Sequence, residues 1–155
     1  MSLQVVSMRP EHVAACGDIV EALELFRSYR FDGAAAVRLL RRELQRGQAD
    51  LQVALDEGRV AGFAWFVERG AFDRSGYLRL IAVDPRCRGQ GVGQRLLLAL
   101  EQKHLQQGGI VLLASASNEP AHRFYAGMGY RQVGVLPGYV LPEMDEVIFF
   151  KPACS

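Results

Sequence analysis

Cysteine is scarce in this chain: Cys16, Cys87 and Cys154 are the only three in 155 residues. An odd count with no repeated spacing excludes a disulfide framework. Histidine is as rare, and His12, His104 and His122 do not cluster with the cysteines, so no metal site is expected. Long apolar runs are missing, and none approaches the ~20 residues that a membrane helix needs. The opening MSLQVVSMRP lacks the basic-then-apolar order of a signal peptide. Charge of one sign is not in excess either. The net charge is +1, which excludes a global field directed at nucleic acid or membrane. Repeats, linkers and low-complexity stretches are absent. What remains is half hydrophobic and 23% charged, the composition of a cytoplasmic, single-domain protein spanning residues 1–155 around one core. Arg38, Arg41 and Arg42 read as the wet face of a helix.

Hydrophobic periodicity orders the chain. Residues 3–8 read as a strand, and Pro10 suits the first turn of a helix running to about Arg30. Gly17 is where that helix would break, and Ala22, Leu25, Phe26 and Tyr29 mark its apolar stripe. Asp32 starts the next helix, with Val37, Leu40 and Leu44 inward and a stop near Gly47. Residues 50–56 and 59–68 read as strands joined by a tight turn at Glu57-Gly58, the second buried on both faces. A polar loop at 70–76 leads to a strand at 77–83, ended by Asp84-Pro85. A leucine-rich helix follows to about Gln107, then a strand at 110–114. Asn118 caps another helix with Pro120 in its first turn, and two strands close the chain. The pattern β-αα-βββ-α-β-α-ββ implies an α/β fold, with a mixed, mostly antiparallel sheet of about six to seven strands and about four helices.

The segment Arg88-Gly89-Gln90-Gly91-Val92-Gly93 joins a strand to a helix. Helix N-termini expose N–H groups without intrahelical partners and carry partial positive charge, so they suit phosphate. Glycines remove the Cβ atoms that would block close approach, and Arg88 adds a cation. The spacing G-x-G-x-G is not the dinucleotide fingerprint, and Gly93-Gln94-Arg95 is not a Walker ending.

Together with Asn118-x-x-Ala121-x-x-Phe124-Tyr125-x-x-x-Gly129-Tyr130, this turn resembles the GCN5-related N-acetyltransferase (GNAT) superfamily. Its [RQ]-x-x-G-x-[GA] pattern is met by Arg88, Gly91 and Gly93, and the ending GVLPGYVLPEMDEVIFFKP looks like its final hairpin. The resemblance implies acetyl-CoA as co-substrate, no metal, and transfer of the acetyl group to a primary amine of a small molecule or peptide by direct attack. It implies that Ile81, Ala82 and Val83 hold the pantetheine arm and the acyl carbonyl through their backbone. Arg88, Gly89, Gln90, Gly91, Val92, Gly93 and Gln94 would hold the pyrophosphate. Asn118 would bond the pantetheine or simply cap its helix, and Tyr125 would donate a proton or hydrogen bond to the departing thiolate.

One departure stands out. Some members carry a glutamate base where this chain has Tyr77, with Arg79 on the same face. Asp73, Glu68 and Glu24 are the substitutes in reach of the sequence, without a choice among them. That departure keeps open an alternative, a non-catalytic acyl-CoA-binding module; a nucleotide-binding domain for NAD or ATP is the third reading. His104 and His122 are expected at the surface. Cys87 falls inside the turn beside cations able to lower its pKa, but it reads as structural filler and no cysteine mechanism is expected. The edge strands and final hairpin are where a homodimer would form.

Overall fold

The computed structural model describes residues 2–154. β1 (Leu3–Ser7) leads through a 3-10 turn at Pro10–His12 into α1 (Val13–Ala22), α2 (Glu24–Ser28) and α3 (Gly33–Arg46). Next come β2 (Asp50–Asp56), β3 (Arg59–Ala71) and β4 (Ser75–Val83), a 3-10 turn at Pro85–Cys87, and α4 (Val92–His104). β5 (Ile110–Ser115), α5 (Glu119–Gly127), β6 (Arg131–Leu136) and β7 (Glu146–Lys151) complete the order. The strands hydrogen-bond in the sequence β1-β2-β3-β4-β5-β7-β6. β4 and β5 run parallel, while β1 with β2, β2 with β3, β5 with β7 and β6 with β7 run antiparallel. The expected mixed sheet is therefore present, with one more short helix than expected. No helix among the described residues is long and apolar enough to cross a membrane.

The chain divides into two compact units, Met1–Val67 with Leu80–Leu100, and Glu68–Arg79 with Glu101–Ser155. In the first, Val13, Val20, Leu40, Val53 and Phe63 are fully buried, each contributing roughly 1.5–3 kcal/mol by leaving water. The Asp32 carboxylate caps α3 by accepting from the Ala35 N–H at 2.8 Å. Gly17 does not break α1. The interruption falls at Leu23, which is extended at φ −97° and ψ 119°. That shift re-phases the expected stripe: Phe26 is buried while Ala22 and Leu25 are exposed. Gly17 instead permits contact between helices, since a Cβ there would lie 2.6 Å from Val37 Cγ2 and 3.0 Å from Gly33 O.

In the second unit, Ile110, Leu112, Val147 and Phe149 are buried on one side of the sheet. The expected loop at 70–76 shrinks to a tight turn between Ala71 and Ser75, with Phe72 and Asp73 at φ 59° and 54°. Arg69 closes it by donating from Nη2 to Asp73 O at 3.0 Å. A buried cluster joins α4 to the closing strands. Glu101 accepts from the Tyr130 hydroxyl and from Lys151 Nζ, both at 2.9 Å, and Lys151 also donates to Met128 O at 2.8 Å. His104 is not a surface residue: it is buried, with Nδ1 3.4 Å from Glu68 Oε1. A helix that reads as amphipathic places its last turn according to what packs on it, which periodicity does not report.

Candidate active site

The first unit holds the end of β4 and the glycine turn. The Asp84 N–H donates to Ala61 O at 2.8 Å, which fixes where β4 stops. The Asp84 carboxylate turns back onto the next residues. It accepts from the Arg86 N–H at 2.9 Å and from Arg86 Nη2 at 2.8 Å. The Arg86 guanidinium holds this carboxyl below the usual aspartate range, against a smaller opposing effect of burial. Gly62 of β3 lets the helix seat closely: a Cβ there would stand 2.8 Å from both Ala82 O and Val92 Cγ1. Val92 is 1% exposed and pins the first turn of α4 to this floor.

Between these anchors the chain is open. Arg88, Gly89, Gln90 and Gly91 are all exposed. Gly89 and Gly91 take φ 73° and 80°, a region side chains rarely occupy, and a Cβ at either would meet nothing within 4 Å. Among the described residues, the N–H groups of residues 89–94 donate to no turn or cap acceptor. A row of unspent donors at a helix N-terminus, bare of Cβ atoms, fits an anion of phosphate size. Gly93 and Gln94 belong to α4 itself. Ile81, Ala82 and Val83 precede the turn on β4, with Ala82 buried and its neighbours half-buried. The ladder from β4 to β5 ends at Leu78↔Leu112, although β4 runs on to Val83 and β5 to Ser115.

The second unit holds the other two expected residues, at opposite ends of α5. Asn118 is the helix cap, its Oδ1 accepting from the Ala121 N–H at 3.3 Å. Tyr125 is 7% exposed among Phe124, Tyr130 and Phe149, with ring centroids 5.2, 5.9 and 5.7 Å away. Burial pushes its phenol well above the ordinary tyrosine range. It stays protonated at neutral pH and acts as a hydrogen-bond donor rather than a ready acid. His122 is half-buried, its Nε2 2.9 Å from Ser115 O.

The alternatives for a strand base each have their own surroundings. Asp73 is exposed and paired with Arg69 at 3.3 Å, Glu68 lies against His104, and Glu24 is exposed at the start of α2. At Cys87 the neighbouring cations do not prevail. Burial, with Asp84 and Asp56 next in weight, raises its thiol pKa despite Arg86. Three residues that shape this region escaped the sequence reading. Gly62 had a signal, a glycine inside a buried strand. Asp84 read only as a strand terminator, and Glu146 gave no local sign of its 2% exposure.

Residues 19–130 match the acetyltransferase (GNAT) family. An uncharacterized N-acetyltransferase of Methanocaldococcus jannaschii is 37% identical over 103 residues, 64% of each chain. Mycothiol acetyltransferase of Thermomonospora curvata is 33% identical over 97 residues, 61% of this chain and 32% of that one. The chain thus spans less than two thirds of either relative. Among solved structures, yncA of Salmonella typhimurium, determined with its cofactor acetyl-CoA, superposes with a TM-score of 0.76. It covers 99% of this chain and 95% of its own, and at 17% identity the likeness is one of fold. With the glycine turn, the seven-stranded mixed sheet and the family match in hand, this chain belongs to the acetyltransferase (GNAT) family.

Proposed function

We propose that the protein transfers an acetyl group from acetyl-CoA to a primary amine of a small molecule or peptide, by direct attack of the amine. The observation that carries this reading is the turn at residues 88–94, exposed from Arg88 to Gly91, with glycines at its two left-handed positions and, among the described residues, no turn or cap acceptor for the amides of 89–94. Those residues fit a pyrophosphate, and Arg88 supplies a side-chain cation. Acetyl-CoA brings the activated thioester; everything else falls to this chain. The backbone of Ile81 to Val83 holds the pantetheine arm and offers N–H groups to the oxygen that gains charge. Asn118 spends its Oδ1 on the helix cap, which leaves its amide N–H groups for the same arm. Tyr125, kept protonated by burial, donates to the departing thiolate.

The test has two stages. A thermal-shift screen is expected to show stabilisation by acetyl-CoA and not by NAD or ATP. Release of free thiol from acetyl-CoA is then followed across a panel of primary amines. Stabilisation without thiol release from any amine would leave a binding module in place of an enzyme; stabilisation by NAD or ATP alone would overturn the reading of the turn.

A further inference from the structure

Glu146 opens β7, paired with Ser115 of β5 on one side and Leu136 of β6 on the other. Side chains alternate across a strand. The register therefore puts Tyr77, Val111, Leu113, Ser115, Ile148 and Glu146 on one face of the sheet. The opposite face is buried at Leu78, Leu112, Val147 and Phe149. The face with Glu146 is only half covered, since Tyr77, Val111, Leu113 and Ile148 all keep partial exposure. A carboxylate that is 2% exposed is thus set into a partly open apolar floor. It lies level with Ser115, beyond the Leu78↔Leu112 end of the β4–β5 ladder.

Its surroundings are polar and titratable. Burial raises the Tyr77 phenol, Arg79 lowers it, and Tyr139 and Glu146 raise it further. The register puts Tyr77 on β4 and Glu146 on β7 on one face of the sheet, with Arg79 two residues along β4 from Tyr77 on that face. Asp145, the preceding residue, turns its Oδ1 to the Gly138 N–H at 3.0 Å. On the α5 side, His122 is occupied with Ser115 O.

We propose that Glu146 accepts the proton of the acceptor's ammonium, with Tyr77 on the same sheet face flanking the entering amine. This rests on the acetyl-transfer reading above. The ammonium gives one proton to the Glu146 carboxylate and becomes a neutral amine. Its nitrogen forms the C–N bond, the C–S bond breaks, and the second nitrogen proton ends on the thiolate. Glu146 then returns its proton to water. Glu146 takes up the role for which Tyr77 has no carboxylate.

Thiol release from acetyl-CoA is measured for wild type, Glu146→Gln and Glu146→Asp with three probes: a peptide with a free N-terminus, spermidine and lysine. Glu146→Gln is expected to lower kcat/KM at neutral pH by about 100-fold and to recover toward wild type in alkali, where the amine deprotonates unaided. Glu146→Asp keeps the wild-type shape of the pH profile at a lower rate. Acetyl-CoA affinity by calorimetry stays unchanged in both. Wild-type rates in Glu146→Gln overturn the proposal, as does an equal loss at every pH, which marks a purely structural role. If Glu146→Gln does not fold, a folded Glu146→Asp that has lost the neutral-pH limb overturns it. Binding of acetyl-CoA by wild type with no thiol released by any probe also overturns it, while the glycine turn stands. Failure to bind acetyl-CoA sinks the acetyl-transfer reading itself, and Glu146 with it.

Discussion

The glycine turn and the Glu101 cluster use the same kinds of polar group in opposite ways. At Glu101 each donor is spent internally: Tyr130 and Lys151 both reach the carboxylate, and Lys151 also takes Met128 O. At residues 89–94 the amide donors reach no turn or cap acceptor among the described residues, and the turn is shaped by backbone conformation instead. A satisfied buried network specifies a structure. A row of exposed amide donors at a helix N-terminus suits an anion. Damage to the first should be felt in stability, and damage to the second in binding.

The largest expected effect is at Gly91. Gly91→Val forces a β-branched residue toward φ 80° and puts methyl groups where phosphate oxygens would lie. Acetyl-CoA affinity by calorimetry should fall by at least ~100-fold, given the worth of charge-assisted hydrogen bonds. Unchanged affinity would break the assignment of the turn. Tyr125→Phe comes next: kcat should drop by ~100-fold or less with little change in unfolding free energy. Wild-type turnover in that variant would remove Tyr125 from the chemistry.

Glu101→Gln tests the other side of the comparison. It leaves the Lys151 ammonium without its anion and should cost about 2 kcal/mol in urea unfolding, discounted from a fully buried pair because Lys151 reaches solvent. Acetyl-CoA affinity should hold. A loss of affinity without loss of stability would dissolve the contrast. The smallest effect belongs to Asp84. Its folded pKa is depressed, chiefly by Arg86, so its contribution is present above the ordinary aspartate value of ~3.9 and is lost as pH falls through the folded value. Asp84→Asn should therefore lower thermal stability slightly at neutral pH, where that contribution is present, leave the acid end unchanged, and so flatten the acid limb.

What the sequence made legible was local. Asp32 and Asn118 as caps, Glu57-Gly58 as a hairpin, and the G-x-G-x-G turn each depend on residues a few positions apart, and each stands where the pattern put it. What stayed hidden depended on partners far along the chain. Leu23 interrupts a helix with no proline or glycine at the break. His104 is buried against Glu68, and Glu146 sinks into a face assembled from three strands. Even Gly17 was legible as unusual and misread in kind, because its reason lies sixteen residues away at Gly33.

That contact also sets how the first unit can move. Where α1 crosses α3, the backbones close on each other at Gly17 and Gly33, Gly17 O standing 2.5 Å from a Cβ built at Gly33, with the Val37 side chain alongside. Side chains act as bearings between helices, letting one slide by small changes of rotamer. Here backbone faces backbone at Gly17 and Gly33, so at that point α1 and α3 have no rotamer of their own to adjust.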